Sequence, residues 1–379
     1  MGSVCDKSKC TACMACVDAC QKNAISVVDH LKYYVAMIDE TKCINCGACR
    51  KVCQNLNPVL SAYPEKWFQG WALDKKIREE GSSGGFATSI SKAFIEDGGV
   101  LCSCKFLDGQ FKFHFSDNVG ELEKFCGSKY VKSNPIGIYK EIRRLLSSGK
   151  KVLLIALPCQ VAAAKNYVGN ALMMNFYSID LICHGTPSFE NLNIFLKQYG
   201  CDLNKITDIS FRKKSDYKIR NDVRDIAPKG VFDKYTLAFL NSINYTENCY
   251  NCQYAKIERV SDLTIGDSWG SDLCDEEKRK GISLALCMNE KGKYLLDNAS
   301  IKLERVDLKN AIAHNHQLEI ASKKPKGYDV FFNGLENNIP YNKLVEKALP
   351  KQCFNQKIKA ILYKILSALI SCLYLKNMA

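Results

Sequence analysis

CTACMACVDAC at residues 10–20 and CINCGACRKVC at residues 43–53 are two copies of one pattern, C-x-x-C-x-x-C-x-x-x-C. They place cysteines at Cys10, Cys13, Cys16 and Cys20, then at Cys43, Cys46, Cys49 and Cys53. Three thiolates this closely spaced cap three irons of one 4Fe–4S cubane, while the fourth points away and closes the neighbouring cube. The expected ligand sets are therefore crossed: Cys10, Cys13, Cys16 and Cys53 for one centre, Cys43, Cys46, Cys49 and Cys20 for the other. Zinc sites use C-x-x-C as two separated pairs, and disulfides need an oxidising compartment, so neither matches two uninterrupted runs. The proline usual after the fourth cysteine is missing, with Gln21 and Gln54 in its place. Proline there ligates nothing, so cluster binding survives its loss. Cys5 falls outside the pattern and reads as a spare thiol.

At 379 residues the chain is long enough for two or three domains with a sizeable core. Its 21 cysteines are unusual for that length. No charged-then-apolar leader opens the sequence, and many cysteines without a signal peptide predict the reducing cytoplasm. The formal charge is +13, from 53 basic and 40 acidic residues. Three cubanes at about −2 each would lower it to about +7, which suits phosphate-bearing cofactors, acidic redox partners or a membrane surface. The basic stretches Arg212, Lys213, Lys214 and Lys323, Lys324, Lys326 lack interleaved aromatics, so they read as solvated faces and not as a nucleic-acid site.

Patterning predicts short strands at 25–28 and 33–38 between the cysteine runs, giving a compact two-cluster ferredoxin module over 1–60. Beyond a linker marked by Pro58 and Pro64, strand and helix signals alternate. Helices are expected at 84–96, 138–146, 161–167, 189–199, 291–299 and 308–316. A hairpin is expected at 100–107 and 111–115, and further strands at 206–211, 263–265 and 282–288. The continuous apolar runs 151–157 and 176–182 are the mark of strands buried on both faces. The expected fold class is mixed, α+β or α/β, with parallel strand pairs. The expected divisions are 1–60, 67–150, 151–335 and a helical tail over 336–379, with 200–250 resisting assignment.

A second cysteine constellation follows from that sheet. Cys159 follows strand 151–157 in LPCQ, and Cys183 ends strand 176–182 in LICHGTP. Parallel neighbours present their carboxyl ends along one edge, where α/β folds place ligands. Cys249 and Cys252, a C-x-x-C in NCYNCQY, can supply two more thiols. Two plus two is the complement of a third cubane, although four such thiols also suit zinc, and lone buried cysteines are often only small hydrophobes.

Gly81-Ser82-Ser83-Gly84-Gly85 leads into a helical pattern, where small residues and free N–H groups can admit an anion or simply cap the helix. Taken with GSKYVKS, LPCQ, LICHGTPS, NCYNCQYAKIERVSDLTIGDSWG and the late HNHQLEIASKK, the chain resembles the beta subunits of coenzyme F-420 hydrogenases and dehydrogenases over most of 5–335. The resemblance implies a flavoprotein that passes electrons between iron–sulfur centres and a hydride-carrying deazaflavin or another acceptor. It implies FAD, with coenzyme F-420 as a substrate. It also implies an FAD phosphate cradle at Ser83, Gly84, Gly85 and Thr88, and a flavin or acceptor site lined by Lys129, Tyr130 and Ser133. Asp267 would lie near the cofactor, as a ribose partner or a structural cap. The resemblance strengthens Cys159, Cys183, Cys249 and Cys252 as a third cluster's ligands. His184 receives no catalytic role, and no catalytic residue is assigned.

The tail KIKAILYKILSALISCLYL, residues 357–375, is apolar with flanking lysines but has too short an uninterrupted run to span a bilayer. Lying in the membrane interface or docking on protein are the two expectations, and deleting 356–379 is expected to release any membrane-bound fraction. The sequence thus predicts an iron–sulfur flavoprotein oxidoreductase working with a redox partner protein or a small acceptor. The alternatives are an electron-transfer adaptor without its own substrate, and a reductase of a sugar or polysaccharide precursor.

Overall fold

The computed structural model describes residues 2–228 and 230–376; the side chains of residue 364 and of those from 366 onward lie outside the described residues. The amino-terminal module is a three-stranded antiparallel sheet of β1 (Gly2–Ser3), β2 (Ile25–Asp29) and β3 (Tyr34–Ile38), in the order β1-β3-β2. Between these strands and after them run the two cysteine loops, each entering a one-turn helix, Ala15–Ala19 and Ala48–Lys51. Both loops curl through left-handed residues at matching positions: Ala12 and Met14 in the first, Asn45 and Gly47 in the second. Such backbone is costly for a side-chain-bearing residue and persists only where the surroundings enforce it. The repeated sequence therefore folds into a repeated thiol-converging turn.

The module is docked by its own first helix. Asp18 is buried, and its carboxylate accepts from the N–H of Gly137 at 2.8 Å and of Tyr139 at 3.1 Å. These are orphan donors at the start of helix Ile138–Ser147, where a negative charge also meets the positive helix end. The Tyr139 hydroxyl donates back to the Cys13 carbonyl at 2.5 Å. Burial pushes the Asp18 carboxyl up, against the pull of these hydrogen bonds.

The body is built on an eight-stranded sheet. Its strands are β4 (Lys66–Ala72), β5 (Val100–Leu107), β6 (Gln110–Ser116), β7 (Val152–Ala156), β8 (Phe176–Leu181), β11 (Leu263–Asp267), β12 (Ser283–Cys287) and β13 (Ile301–Glu304); β9 (Ile209–Lys213) and β10 (Asp216–Asn221) form a separate hairpin. The order is β13-β4-β12-β11-β8-β7-β5-β6. A parallel block, β5-β7-β8-β11, occupies the middle, and antiparallel strands finish both sides. Alternate residues of the central strands feed two cores. Cys102, Val152 and Leu154 pack with helices Ile138–Ser147 and Pro158–Val168 on one face. Leu101, Leu153 and Ile155 pack with helices Phe86–Glu96 and Glu290–Asp297 on the other. This is the mixed α/β layering that the alternating pattern implied.

Several expectations need correction. Strand β4 had no signal of its own, because its partners β12 and β13 lie more than 200 residues further on. The segment 200–250 resolves into the β9–β10 hairpin and helix Lys234–Leu240, packed with helices Phe189–Lys197, Tyr328–Glu336 and Tyr341–Ala348 round a core of Phe195, Phe211, Tyr235, Phe331 and Tyr341. Arg212 is no solvated face: it is buried and makes a bidentate pair with Asp267, at 2.6 and 2.7 Å. Lys323, Lys324 and Lys326 are exposed as expected. The tail forms helix Pro350–Lys376, with Cys353 buried and Phe354, Ile361 and Leu362 largely exposed. Among the described residues no helix is long and apolar enough to cross a membrane.

Candidate metal centres

In the first cysteine group, Cys10, Cys13, Cys16 and Cys53 line one small cavity, with Val27 and Ala36 of the sheet on its wall. The backbone crossing thus gathers the last cysteine of the second run with the first three of the first. Cys5 lines the same cavity, so it is not isolated from the group. Its thiol hydrogen-bonds Cys10 and Cys53 and draws them down, to about 7 and about 6, while Cys5 itself is raised. Burial pushes Cys13 up to about 12 and raises Cys16 as well. In the second group, Cys49 is raised by burial and then by the charges of Cys20 and Cys46. Cys46 is exposed, and Cys20, Cys43 and Cys49 are half-buried. Thiolates crowded out of water repel one another, and cluster iron supplies the opposing charge, so the donor sets fit such centres.

The second constellation assembles deeper, where the sheet edge predicted it. Cys159 lies in the first turn of helix Pro158–Val168 after β7, and Cys183 follows β8. Cys249 and Cys252 come from the turn Glu247–Asn251 and its exit. All four line one cavity of about 350 Å³, roughly ten times the ~30 Å³ share of a single water. Cys249 sulfur receives the Thr186 N–H at 3.4 Å and lies 3.6 Å from the Asn248 amide nitrogen. Burial pushes Cys252 up to about 12 and raises Cys183 and Cys159. Lys132, only 5% exposed, lines the same cavity. Burial alone would lower its ammonium, but Cys249, Cys159, Cys183 and Cys10 outweigh burial and hold it charged. Four thiols and one cation suit an anionic cluster.

An ion pair holds the site's two halves in register. Asp180, on β8 three residues before Cys183, accepts from Arg259 at 2.9 Å and from Thr264 at 2.6 Å. Arg259 also donates to the carbonyls of Tyr254, Lys256 and Leu181, tying the C-x-x-C loop to the strand end. His184 is pushed down to about 4 by burial and by the neighbouring His316, and its Nδ1 lies 2.7 Å from the Gln317 amide nitrogen.

The residues carried over for a flavin are not gathered into one open cradle. Gly84 N–H is taken by Ser283 Oγ at 2.9 Å, and Ser83 Oγ donates to the Ile282 carbonyl at 2.7 Å. Gly85 caps its helix at φ 87°, and Thr88 Oγ1 lies 3.2 Å from Cys126 sulfur. Lys129, half-buried, donates to the carbonyls of Phe125, Cys126 and Gly127. Tyr130 stacks between Tyr217 and Phe239. Ser133 turns toward Gln160, at 3.1 Å. Asp267 is occupied by Arg212. The loop 81–85 therefore packs against the paired strands β4 and β12, at Gly70 and Ser283. A Cβ on Gly84 would meet Ser283 N at 2.7 Å and Gly70 O closer still. Gly84→Ala is expected to destabilise the protein by about 1–3 kcal/mol through overpacking, read as a lowered thermal midpoint with iron content unchanged.

Sequence reasoning passed over Lys132, Asp180 and Arg259. Lys132 and Arg259 lie inside stretches already singled out, but a buried cation carries no periodic signal.

With this geometry in view, the family comparisons are direct. The 4Fe-4S dicluster domain model matches residues 9–55, and the model for the C terminus of the coenzyme F420 hydrogenase/dehydrogenase beta subunit matches residues 149–311. The chain thus carries the C-terminal domain of this beta-subunit family together with a two-cluster ferredoxin module at its amino end. It is an iron–sulfur electron-transfer protein of oxidoreductase type. Among solved structures, a chain of the F420-reducing NiFe hydrogenase complex from Methanosarcina barkeri, in a xenon-derivative study, is similar at 17% identity and TM-score 0.45, covering 79% of this chain and 93% of that one. No curated protein matches it in sequence.

Proposed function

We propose that this chain conducts single electrons along three 4Fe–4S cubanes, between an outer centre at Cys20, Cys43, Cys46 and Cys49 and an inner one at Cys159, Cys183, Cys249 and Cys252. The centre held by Cys10, Cys13, Cys16 and Cys53 stands between them. The observation that carries this reading is the convergence of four thiols from three separate chain segments, with a buried lysine, on one cavity. Burial orders the path: Cys46 is exposed, whereas Cys10, Cys53 and Cys249 are buried. Outer exposure suits exchange with a redox partner protein; inner burial suits delivery to an acceptor within the family's reaction. Anaerobic purification with iron, sulfide and flavin quantified per chain is the test. About twelve irons support three cubanes, and about eight reduce the protein to its ferredoxin module and an unexplained body.

The acceptor we propose is flavin-linked, FAD with coenzyme F-420 as substrate, and its support is the match to that family's C-terminal domain. The Gly84 N–H and the Ser83 hydroxyl are engaged by protein atoms, so no step is routed through a flavin here. One FAD per chain is the expected result, and flavin-free protein that is fully loaded with iron would remove it. A specific observation favours a second reading, an adaptor that serves a partner enzyme: the exposed apolar residues Phe354, Ile361 and Leu362 on the tail helix. Turnover of acceptors by the purified chain alone separates enzyme from adaptor. The two cysteine runs, read as iron–sulfur ligands, support a reducing compartment such as the cytoplasm. Membrane attachment through 357–375 is tested by deleting 356–379 and fractionating.

A further inference from the structure

Gln54 stands where the motif normally has proline, and the fold uses it. It follows Cys53 directly and is wholly buried, at 0% exposure. Its counterpart after the first run, Gln21, is exposed. The Gln54 amide nitrogen donates to Thr11 Oγ1 at 3.1 Å. Its carbonyl oxygen accepts from Gln253 Nε2 at 2.6 Å and from the Tyr254 hydroxyl. Gln253 and Tyr254 follow Cys252 directly, and Thr11 follows Cys10 directly. Thr11 also lines the four-thiol cavity, as Cys159 does.

Gln54 thus ties Thr11, beside Cys10, to Gln253, beside Cys252. One short link therefore joins the centre of Cys10 and Cys53 to that of Cys159 and Cys252: Cys53–Gln54···Gln253–Cys252, with Thr11 holding the Gln54 amide in place. Proline could make none of these hydrogen bonds, having no side-chain polar atom.

We propose that Gln54 and Thr11 are positioning residues that bridge the amino-terminal cubane to the inner one, giving electrons a route that crosses one hydrogen bond. The proposal rests on the three-cubane reading above. One cubane loses one electron, the other gains one, and no bond forms or breaks.

The test uses the full chain, purified anaerobically, with flash photoreduction by a deazaflavin dye and freeze-quench EPR following electron redistribution onto the inner centre. Gln54→Leu and Thr11→Val are expected to keep the iron content of the parent while slowing redistribution at least tenfold. Thr11→Ser, which restores the hydroxyl, is expected to recover the rate; a merely structural role would not track that group. If Gln54→Leu loses iron, Gln54→Glu, of equal length and lacking the amide donor, carries the comparison. Parent-like rates in iron-complete Gln54 and Thr11 variants overturn the bridge while leaving the cubanes intact. A parent protein with only about eight irons overturns the underlying reading itself, and the bridge with it.

Discussion

Replacing Cys249 and Cys252 together by serine is expected to lower the iron content from about twelve to about eight per chain and to abolish one reduced cubane signal while sparing the others. The effect should be near complete because these two residues supply half of the inner donor set from one short turn. Serine keeps the size but not the soft, ionisable sulfur that iron prefers. The same change takes Cys249, the first of the thiol neighbours that hold the buried Lys132 charged, so lowered stability is expected alongside the iron loss. Iron and sulfide assays with EPR decide the matter, and retention of all iron would refute the ligand assignment.

Asp180→Ala should cost about 3–5 kcal/mol, the usual penalty for removing one partner of a buried ion pair. The Arg259 and Asp180 side chains are 2% and 0% exposed, so the abandoned guanidinium cannot reach water. Arg259 would keep its carbonyl acceptors but lose the carboxylate that fixes it over the strand end. The C-x-x-C loop should then drift from Cys183, so a lower thermal midpoint and partial loss of the inner centre are expected together. Asp180→Asn, which keeps an acceptor for Thr264, should do less harm. Equal stability of Asp180→Ala and the parent would show that the pair does not hold the site.

Much of this was legible because the controlling signals are local. The cysteine spacing sets which sulfurs converge, and the apolar runs at 151–157 and 176–182 declare strands covered on both faces. Two such strands in parallel bring Cys159 and Cys183 to one edge with no further information. Where the deciding partner lies far along the chain, the reading failed. Arg212 looks solvated until Asp267, fifty-five positions later, neutralises it. Loop 81–85 looks like an open anion cradle until Ser283 and Ile282 occupy it. Strand β4 is recognisable only beside β12 and β13. The missing prolines were visible, but only burial separates Gln54 from Gln21.

The contrast between exposed Cys46 and buried Cys10 and Cys53 has a consequence for damage. Oxygen arriving from solvent meets the outermost cube first, so limited air exposure should bleach that centre while the deeper ones stay intact. A protein injured in this way would keep most of its colour yet no longer accept charge from outside, failing at its doorstep before its interior.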